Sequence, residues 1–438
     1  GRGRPRLSRA DGFNRYWTIA DSDSEHREPG TLARVRGWMG DPSGRAQAAH
    51  GRRGGAASGF SRWAPVARST DGAVPASGER GTASSCGGGG VRGGWEFEVR
   101  AIELFAGAGG AALGIEAAGF DHAALVEWDP DACSTLRAAG LGPVVEGDVR
   151  DLDAIEAVAF PSYEATWRRM GDEAGTADWD ACEERMDELV AEDRRVDLLW
   201  ASPPCQAWSH AGSRGGAEDD RNGYPWTLAA VDRFSPRWFV AENVRGLMSH
   251  RKDCDRRGPA ESCPGCYWER FILPEVAARF AYSGWFLLDA ADYGVPQHRR
   301  RLFVWGSDRP VVPPRATHGS GMFTRPWVTM AAALGIEGSR IFGAGRNPQR
   351  AGVPRSFRDI TDEPSTTVAA VQIWNAGPWV VDPKSDRRRL TLQEAATLQG
   401  FPDHPWRGSG RSKWRQVGNA VPPRLAEVVA SVVAGSLK

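Results

Sequence analysis

No run in the 438 residues approaches the roughly 18 consecutive apolar residues of a membrane-spanning helix. The first residues do not read as a secretory signal either, so the expectation is a cytoplasmic protein with no membrane partner. Cysteine is scarce, at seven, and the odd number is not spaced as a small disulfide scaffold. A reducing compartment fits and keeps a thiol available for chemistry. Net charge is lacking too: 55 basic residues balance 55 acidic ones. No global positive field therefore announces a nucleic-acid partner, although a local basic groove can be built from balanced charge. Lysine is nearly missing, with four against a large excess of arginine, as base composition in a GC-rich genome produces.

What is present falls into unlike parts. Residues 1–98 are rich in Gly, Arg, Ser and Ala, with breaks such as Gly87–Gly90 and no sustained period, which predicts disorder. From Val99 the pattern alternates. Val99–Phe105 reads as a buried strand, followed by a Gly-rich turn and a helix over Ala111–Ala118. Ala123–Glu127, Val144–Glu146, Leu198–Ala201, Trp238–Ala241 and Arg301–Gly306 read as further strands, and Pro130–Ala139 as a helix. Residues 161–195 have the spacing of an inserted surface helix. Strands alternating with helices predict a doubly wound α/β sheet. Residues 307–387 lose the rhythm and read as a small irregular module, and helices at Thr391–Leu398 and Pro423–Val433 restore it.

Chemistry gathers at predicted strand ends. In Phe105-Ala106-Gly107-Ala108-Gly109-Gly110 the glycines let the backbone approach a ligand at a helix N-terminus. Ala112 stands at the third glycine position of a hydride-transfer G-x-G-x-x-G fingerprint, so this turn departs from it. Glu127 ends the next strand, where a carboxylate accepts ribose hydroxyls. Trp128 offers a ring face to adenine, and Asp148 stands where it can take the adenine amino group. Ser202-Pro203-Pro204-Cys205-Gln206 puts a thiol on a stiffened loop just after a strand, the usual place for reacting groups in open α/β sheets. Glu242, in Ala241-Glu242-Asn243-Val244, also ends a strand. In Gln297-His298-Arg299-Arg300-Arg301, Arg299 and Arg301 share one side of an extended segment while Arg300 faces away. A thiolate that attacks a ring carbon, an acid that protonates a ring nitrogen and arginines that hold the base together suit methylation of cytosine at carbon 5.

In this order the motifs resemble the DNA (cytosine-5)-methyltransferase family, bacterial or phage type, from about residue 100 to the C-terminus. The resemblance implies a Rossmann-like S-adenosylmethionine-dependent methyltransferase domain over 99–306 and 388–438, with a target-recognition domain at 307–387. It puts Phe105, Gly107, Gly109, Glu127, Trp128, Asp148 and Pro203 on cofactor-binding positions. Asn419 and Val421, in Gln416-Val417-Gly418-Asn419-Ala420-Val421-Pro422-Pro423, would close the cofactor pocket. Cys205 becomes the nucleophile at carbon 6, and Glu242 the acid at ring nitrogen 3. Arg299 and Arg301 contact the base carbonyl, hold the catalytic loop and neutralise phosphate. The base must be flipped out of duplex DNA, and Trp208–Arg221 resembles the loop that closes over it. A monomer in a bacterial or phage-infected cell is expected. A tRNA cytosine methyltransferase of the same fold shares the chemistry, but the extended module argues for DNA. A non-catalytic DNA-binding relative should have lost Cys205, Glu242 or the glycines.

One cluster stands outside these motifs. His250, Cys254, Cys263 and Cys266, the last two in a Cys-Pro-Gly-Cys turn, have the residue types of a structural zinc site. No open coordination position is needed, so the expected role is to hold an insertion with little core of its own.

Overall fold

A computed structural model of the chain describes residues 20–21, 99–160, 194–204, 219–258, 263–336, 339–344, 357–370, 379–381, 388–401 and 403–435, and the structural statements below concern these. The chain divides into two units, 1–24 with 89–438, and 25–88, the second lying outside the described residues. All but the last two residues of the inserted helix expected over 161–195, and all but two residues of the N-terminal segment, also lie outside them.

Strands that are apolar along their length must bury both faces, and such strands make the centre of the main sheet. In chain order the strands are β1 (Ala20–Asp21), β2 (Val99–Leu104), β3 (Phe120–Glu127), β4 (Val144–Glu146), β5 (Leu198–Ala201), β6 (Trp238–Val244), β7 (Tyr282–Asp289) and β8 (Arg300–Ser307). Their spatial order is β1-β7-β8-β6-β5-β2-β3-β4. Strands β2 to β6 pair in parallel, whereas β8 is antiparallel to both β6 and β7. Ala20–Asp21, from the segment expected to lack structure, pairs with Tyr282 and Ser283 on the otherwise open edge of β7.

Helices cover both faces. α1 (Gly110–Ala117) lies on one face with the terminal helix, and α2 (Pro130–Ala138) and α3 (Leu152–Ala159) follow β3 and β4. α4 (Tyr224–Phe234), α5 (Pro264–Tyr267), a π turn over Trp268–Ile272 and α6 (Leu273–Ala277) pack with α3 on the other face. α7 (Met330–Leu334), α8 (Leu392–Leu398), α9 (Gly410–Asn419) and α10 (Pro423–Ala434) complete the described helices. β5 shows the alternation: Leu198 and Trp200 join the α1/α10 core, and Leu199 and Ala201 the opposite one. The α/β doubly wound expectation therefore holds, with a reversed hairpin, β7–β8, at one side.

Residues expected to be irregular contain a second sheet, ordered β10-β9-β11-β12, from β9 (Arg340–Ala344), β10 (Phe357–Asp359), β11 (Trp379–Val381) and β12 (Arg388–Arg389). Ile341, Ile360 and Val380 bury against Leu390, Leu398 and Val417, so this sheet shares a core with α8 and α9.

The chain runs outward from β2 to β3 and β4 on one side, and later to β5 and β6 on the other. Such a reversal opens a crevice beyond the carboxyl ends of β2 and β5, the general ligand position in this architecture.

Candidate active site

A cavity of about 420 Å³ occupies that crevice. Its wall includes Phe105, Gly107, Glu127, Trp128, Asp148, Pro203, Glu242, Arg299, Arg301, Asn419 and Val421. Of the residues singled out in the sequence, two stand apart. Gly109 is not in the wall: it is the N-cap of α1, its φ of 90° turns the chain, and a side chain there would strike Leu136 and Leu141. Cys205 and the residues up to 218 lie outside the described residues, although Pro204, the residue before Cys205, lines the cavity.

The Gly-rich turn is held by the carboxylate it faces. Glu127 Oε2 accepts the Gly107 N–H at 2.7 Å, and Oε1 accepts those of Trp128 at 3.0 Å and Asp129 at 2.8 Å. Burial raises the Glu127 pKa and these N–H donors oppose the rise. Three of a carboxylate's roughly four lone-pair positions are thus taken, and a ribose would meet one unless it displaced a backbone donor. Around Gly107 an added Cβ meets nothing within 4 Å, so the turn presents open space where a ligand can lie against backbone. Trp128 is 77% exposed at the cavity wall. Asp148 is bound by the Arg150 backbone N–H and guanidinium, both at 2.9 Å, and Arg150 holds its pKa down.

Glu242 and Arg301 come together through strand register. Arg301 on β8 stands opposite Val244 on β6, which makes it the diagonal neighbour of Glu242 on the same face. Arg301 Nε lies 2.8 Å from Glu242 Oε1. Burial nevertheless pushes the Glu242 pKa up, with Arg301 and then Arg299 pulling against it. The site thus favours a carboxyl that retains its proton longer than an exposed one.

Arg299 is placed differently from expectation. It is 1% exposed, and its guanidinium donates to the carbonyls of Val368 at 3.1 Å, Gly418 at 2.8 Å and Ala420 at 2.9 Å. The last two belong to the C-terminal end of α9, where a cation also complements the helix dipole. The two arginines thus divide: Arg301 serves the acid, while Arg299 staples β8 to α9 and the strand-free segment at 368. Arg300 faces away and pairs with Asp289, as the alternation predicts.

Sequence reasoning missed several contributors. Asn243 Nδ2 donates to the Pro203 carbonyl at 3.2 Å, tying the end of β6 to the loop that leads to Cys205. Its only signal was adjacency to Glu242. Arg221, Trp226, Arg415 and Gln416 also line the cavity, and Arg415 pairs with Asp129 across it. Gln297 spans from the Val368 N–H to Gln399, whose amide reaches the Val417 carbonyl. Nothing in their local sequence marks these long-range pairs.

A Gly-rich turn, a strand-end carboxylate and a buried acid–arginine pair in the crevice of an open α/β sheet are the parts of a nucleoside-cofactor-dependent group-transfer site. The chain belongs to the C-5 cytosine-specific DNA methylase family, whose model matches residues 99–318 and 343–434. Type II methyltransferase M.NaeI from Lentzea aerocolonigenes is 29% identical over 357 residues, covering 77% of this chain and 75% of that protein. M.NgoMIV from Neisseria gonorrhoeae is 29% identical over 367 residues, covering 78% of this chain and 99% of its own length. M.AplI from Arthrospira platensis is 30% identical over 359 residues, covering 78% and 88%. The activity is DNA cytosine-5 methylation with S-adenosylmethionine as methyl donor. The open cradle at Gly107 and the carboxylate beside it fit that donor.

Proposed function

We propose that Cys205, Glu242 and Arg301 carry the reaction on a flipped cytosine of duplex DNA. The Cys205 thiolate adds to carbon 6 while Glu242 gives its proton to ring nitrogen 3, turning the ring into an enamine nucleophilic at carbon 5. Carbon 5 would then take the methyl group as the donor departs as its neutral thioether. The carbon-5 proton passes to water, nitrogen 3 returns its proton to Glu242, and the thiolate is expelled, restoring the double bond between carbons 5 and 6. The observation that carries this reading is the Glu242–Arg301 pair at 2.8 Å, buried in the wall that Pro203 and Pro204 share. Arg301 orients the carboxyl, and Arg299 supports the segment that presents Arg301. The methyl donor supplies an electrophilic methyl group. Phe105, Gly107, Glu127, Trp128, Asp148, Pro203, Asn419 and Val421 would hold it.

In this reading residues 307–387 recognise the target sequence. Met322 and Phe323, highly exposed beside a turn closed by the Thr324 hydroxyl on the Gly321 carbonyl, suit contact with DNA. In this reading the protein is a cytoplasmic monomer in the modification half of a restriction-modification system; relatives named type II methyltransferases support the latter. DNA with 5-fluorocytosine at the target should trap a covalent adduct with the wild type, because fluorine cannot leave as a proton does. Cys205→Ser should give neither adduct nor product while still binding S-adenosylmethionine. Substantial methylation by that variant would remove Cys205 from the mechanism.

A further inference from the structure

Between β6 and β7 lies a cluster that methyl transfer does not use. Cys254 Sγ is 3.3 Å from both Cys263 Sγ and Cys266 Sγ. His250 Nδ1 faces all three sulfurs, at 3.5 Å from Cys263, 3.6 Å from Cys266 and 3.8 Å from Cys254. All four ligand atoms lie within 4.8 Å of one another, and the three cysteines are free thiols. With Zn–S of about 2.3 Å and Zn–N of about 2.05 Å, a tetrahedral ion sets sulfurs about 3.8 Å apart and nitrogen about 3.5 Å from sulfur. The nitrogen–sulfur distances match that shape to within about 0.3 Å, and the two sulfur pairs at Cys254 are about 0.5 Å shorter than it requires.

The surroundings are those of a metal shell. His250 Nε2 is 3.1 Å from Glu269 Oε1, so a carboxylate fixes the ring with Nδ1 turned to the sulfurs. The Cys266 N–H donates to Cys263 Sγ at 3.4 Å. A Cβ at Gly265 would sit 2.8 Å from the His250 ring, so only glycine lets the Cys-Pro-Gly-Cys turn close beneath it. Three soft thiolates with one imidazole select zinc over calcium or magnesium, and a filled tetrahedron leaves no position for substrate.

The cluster also reaches the active site. The Gly265 N–H bonds the Ser249 carbonyl at 3.2 Å, joining the turn to the segment that leaves β6 just after Glu242. Tyr267, the last residue of α5, accepts the Asn222 amide at 3.0 Å in the core. Next to Asn222, Gly223 packs so closely on Phe105 and Pro203 that a Cβ would lie 2.7 and 2.8 Å from them. Asn222 also directly follows, in sequence, the segment Trp208–Arg221 downstream of Cys205.

We propose that His250, Cys254, Cys263 and Cys266 bind one structural zinc ion, which seats Tyr267 and through it anchors Asn222 and Gly223 against Phe105 and Pro203 in the cavity wall. The anchoring half rests on the reading of that wall above; the metal half does not. Full-length protein grown with zinc and purified without chelators should contain close to one zinc per chain. Cobalt substituted for zinc should give the visible bands of a tetrahedral thiolate site. Cys254→Ser, at the least buried of the three thiols, should lose both signals while S-adenosylmethionine binding persists. If Cys254→Ser does not fold, the wild-type metal content and cobalt spectrum still decide the matter. Metal-free wild-type protein, or a cobalt spectrum without thiolate bands, overturns the site. Tyr267→Phe should keep its zinc but lose the Asn222 bond, and with it much of kcat. Unchanged kcat in that variant, with zinc bound and wild-type methyl transfer intact, overturns the anchoring while leaving the metal site standing.

Discussion

At the scale of single residues, Glu242 is the group whose surroundings most directly prepare its chemistry. A carboxyl that is 8% exposed resists ionisation, and the adjoining Arg301 aims it without overcoming burial. Glu242→Gln keeps shape and hydrogen bonding but has no proton to give, so the rate should drop by roughly 10²–10⁴. The wild-type rate should also fall as pH rises through the raised pKa of Glu242, because the protonated form is the working one. In Glu242→Gln that limb of the profile should vanish. Single-turnover methylation across pH checks both points, and an unchanged rate would make the residue structural. Glu242 and Arg301 were legible because motif and period name them. Arg299 was legible as a position, but its role was not: its carbonyl partners lie 69, 119 and 121 residues away.

Among elements, the tightest joint is between α1 and α10. A Cβ on Gly114 would stand 2.2 Å from the Pro423 carbonyl oxygen and 2.6 Å from the Glu427 nitrogen, both backbone atoms that cannot swing aside. Gly114→Ala should therefore destabilise the protein by about 1–3 kcal/mol despite alanine's better helix propensity, because overpacking outweighs it. Urea unfolding measures this, and a more stable variant would show that the helices can part at little cost. The short, largely apolar runs of β2, β4 and β5 make those strands readable from residue type and length. β7 is not readable in that way, because Ser283, Gly284 and the half-buried residues after Phe286 break both period and run. The antiparallel direction of β8 is equally hidden, since strand direction is set by how the hairpin docks and not by composition. In 340–389 the strands are two to five residues long, too short for any period to rise above Pro, Gly and Arg. The grouping of His250, Cys254, Cys263 and Cys266 was legible from residue type and spacing alone.

The stability of the whole molecule should carry a mark of one buried charge network. His122 on β3 lies 3.6 Å from Glu103 on β2 and 3.4 Å from Glu116 on α1. Burial pulls its pKa down, but the two carboxylates outweigh burial and leave it at about 9. A histidine raised from its ordinary 6.5 contributes stability that is complete below that value and is lost as pH climbs towards about 9. Urea midpoints should therefore decline between those pH values more steeply in the wild type than in His122→Asn. Parallel declines would mean that the network carries no linked proton. The joint between α1 and α10 has a temporal side as well. Gln416, Asn419 and Val421, the wall contributed by the end of the chain, are made about 300 residues after the Gly-rich turn they face. At roughly 5–20 residues per second the ribosome needs about 15–60 s to span that distance. Throughout that time the growing chain has half a crevice, and α1 waits with its glycine face uncovered. Synthesis of the α9 segment is thus the last step that completes the cavity wall. A product cut short before α9 would leave the host's DNA untouched.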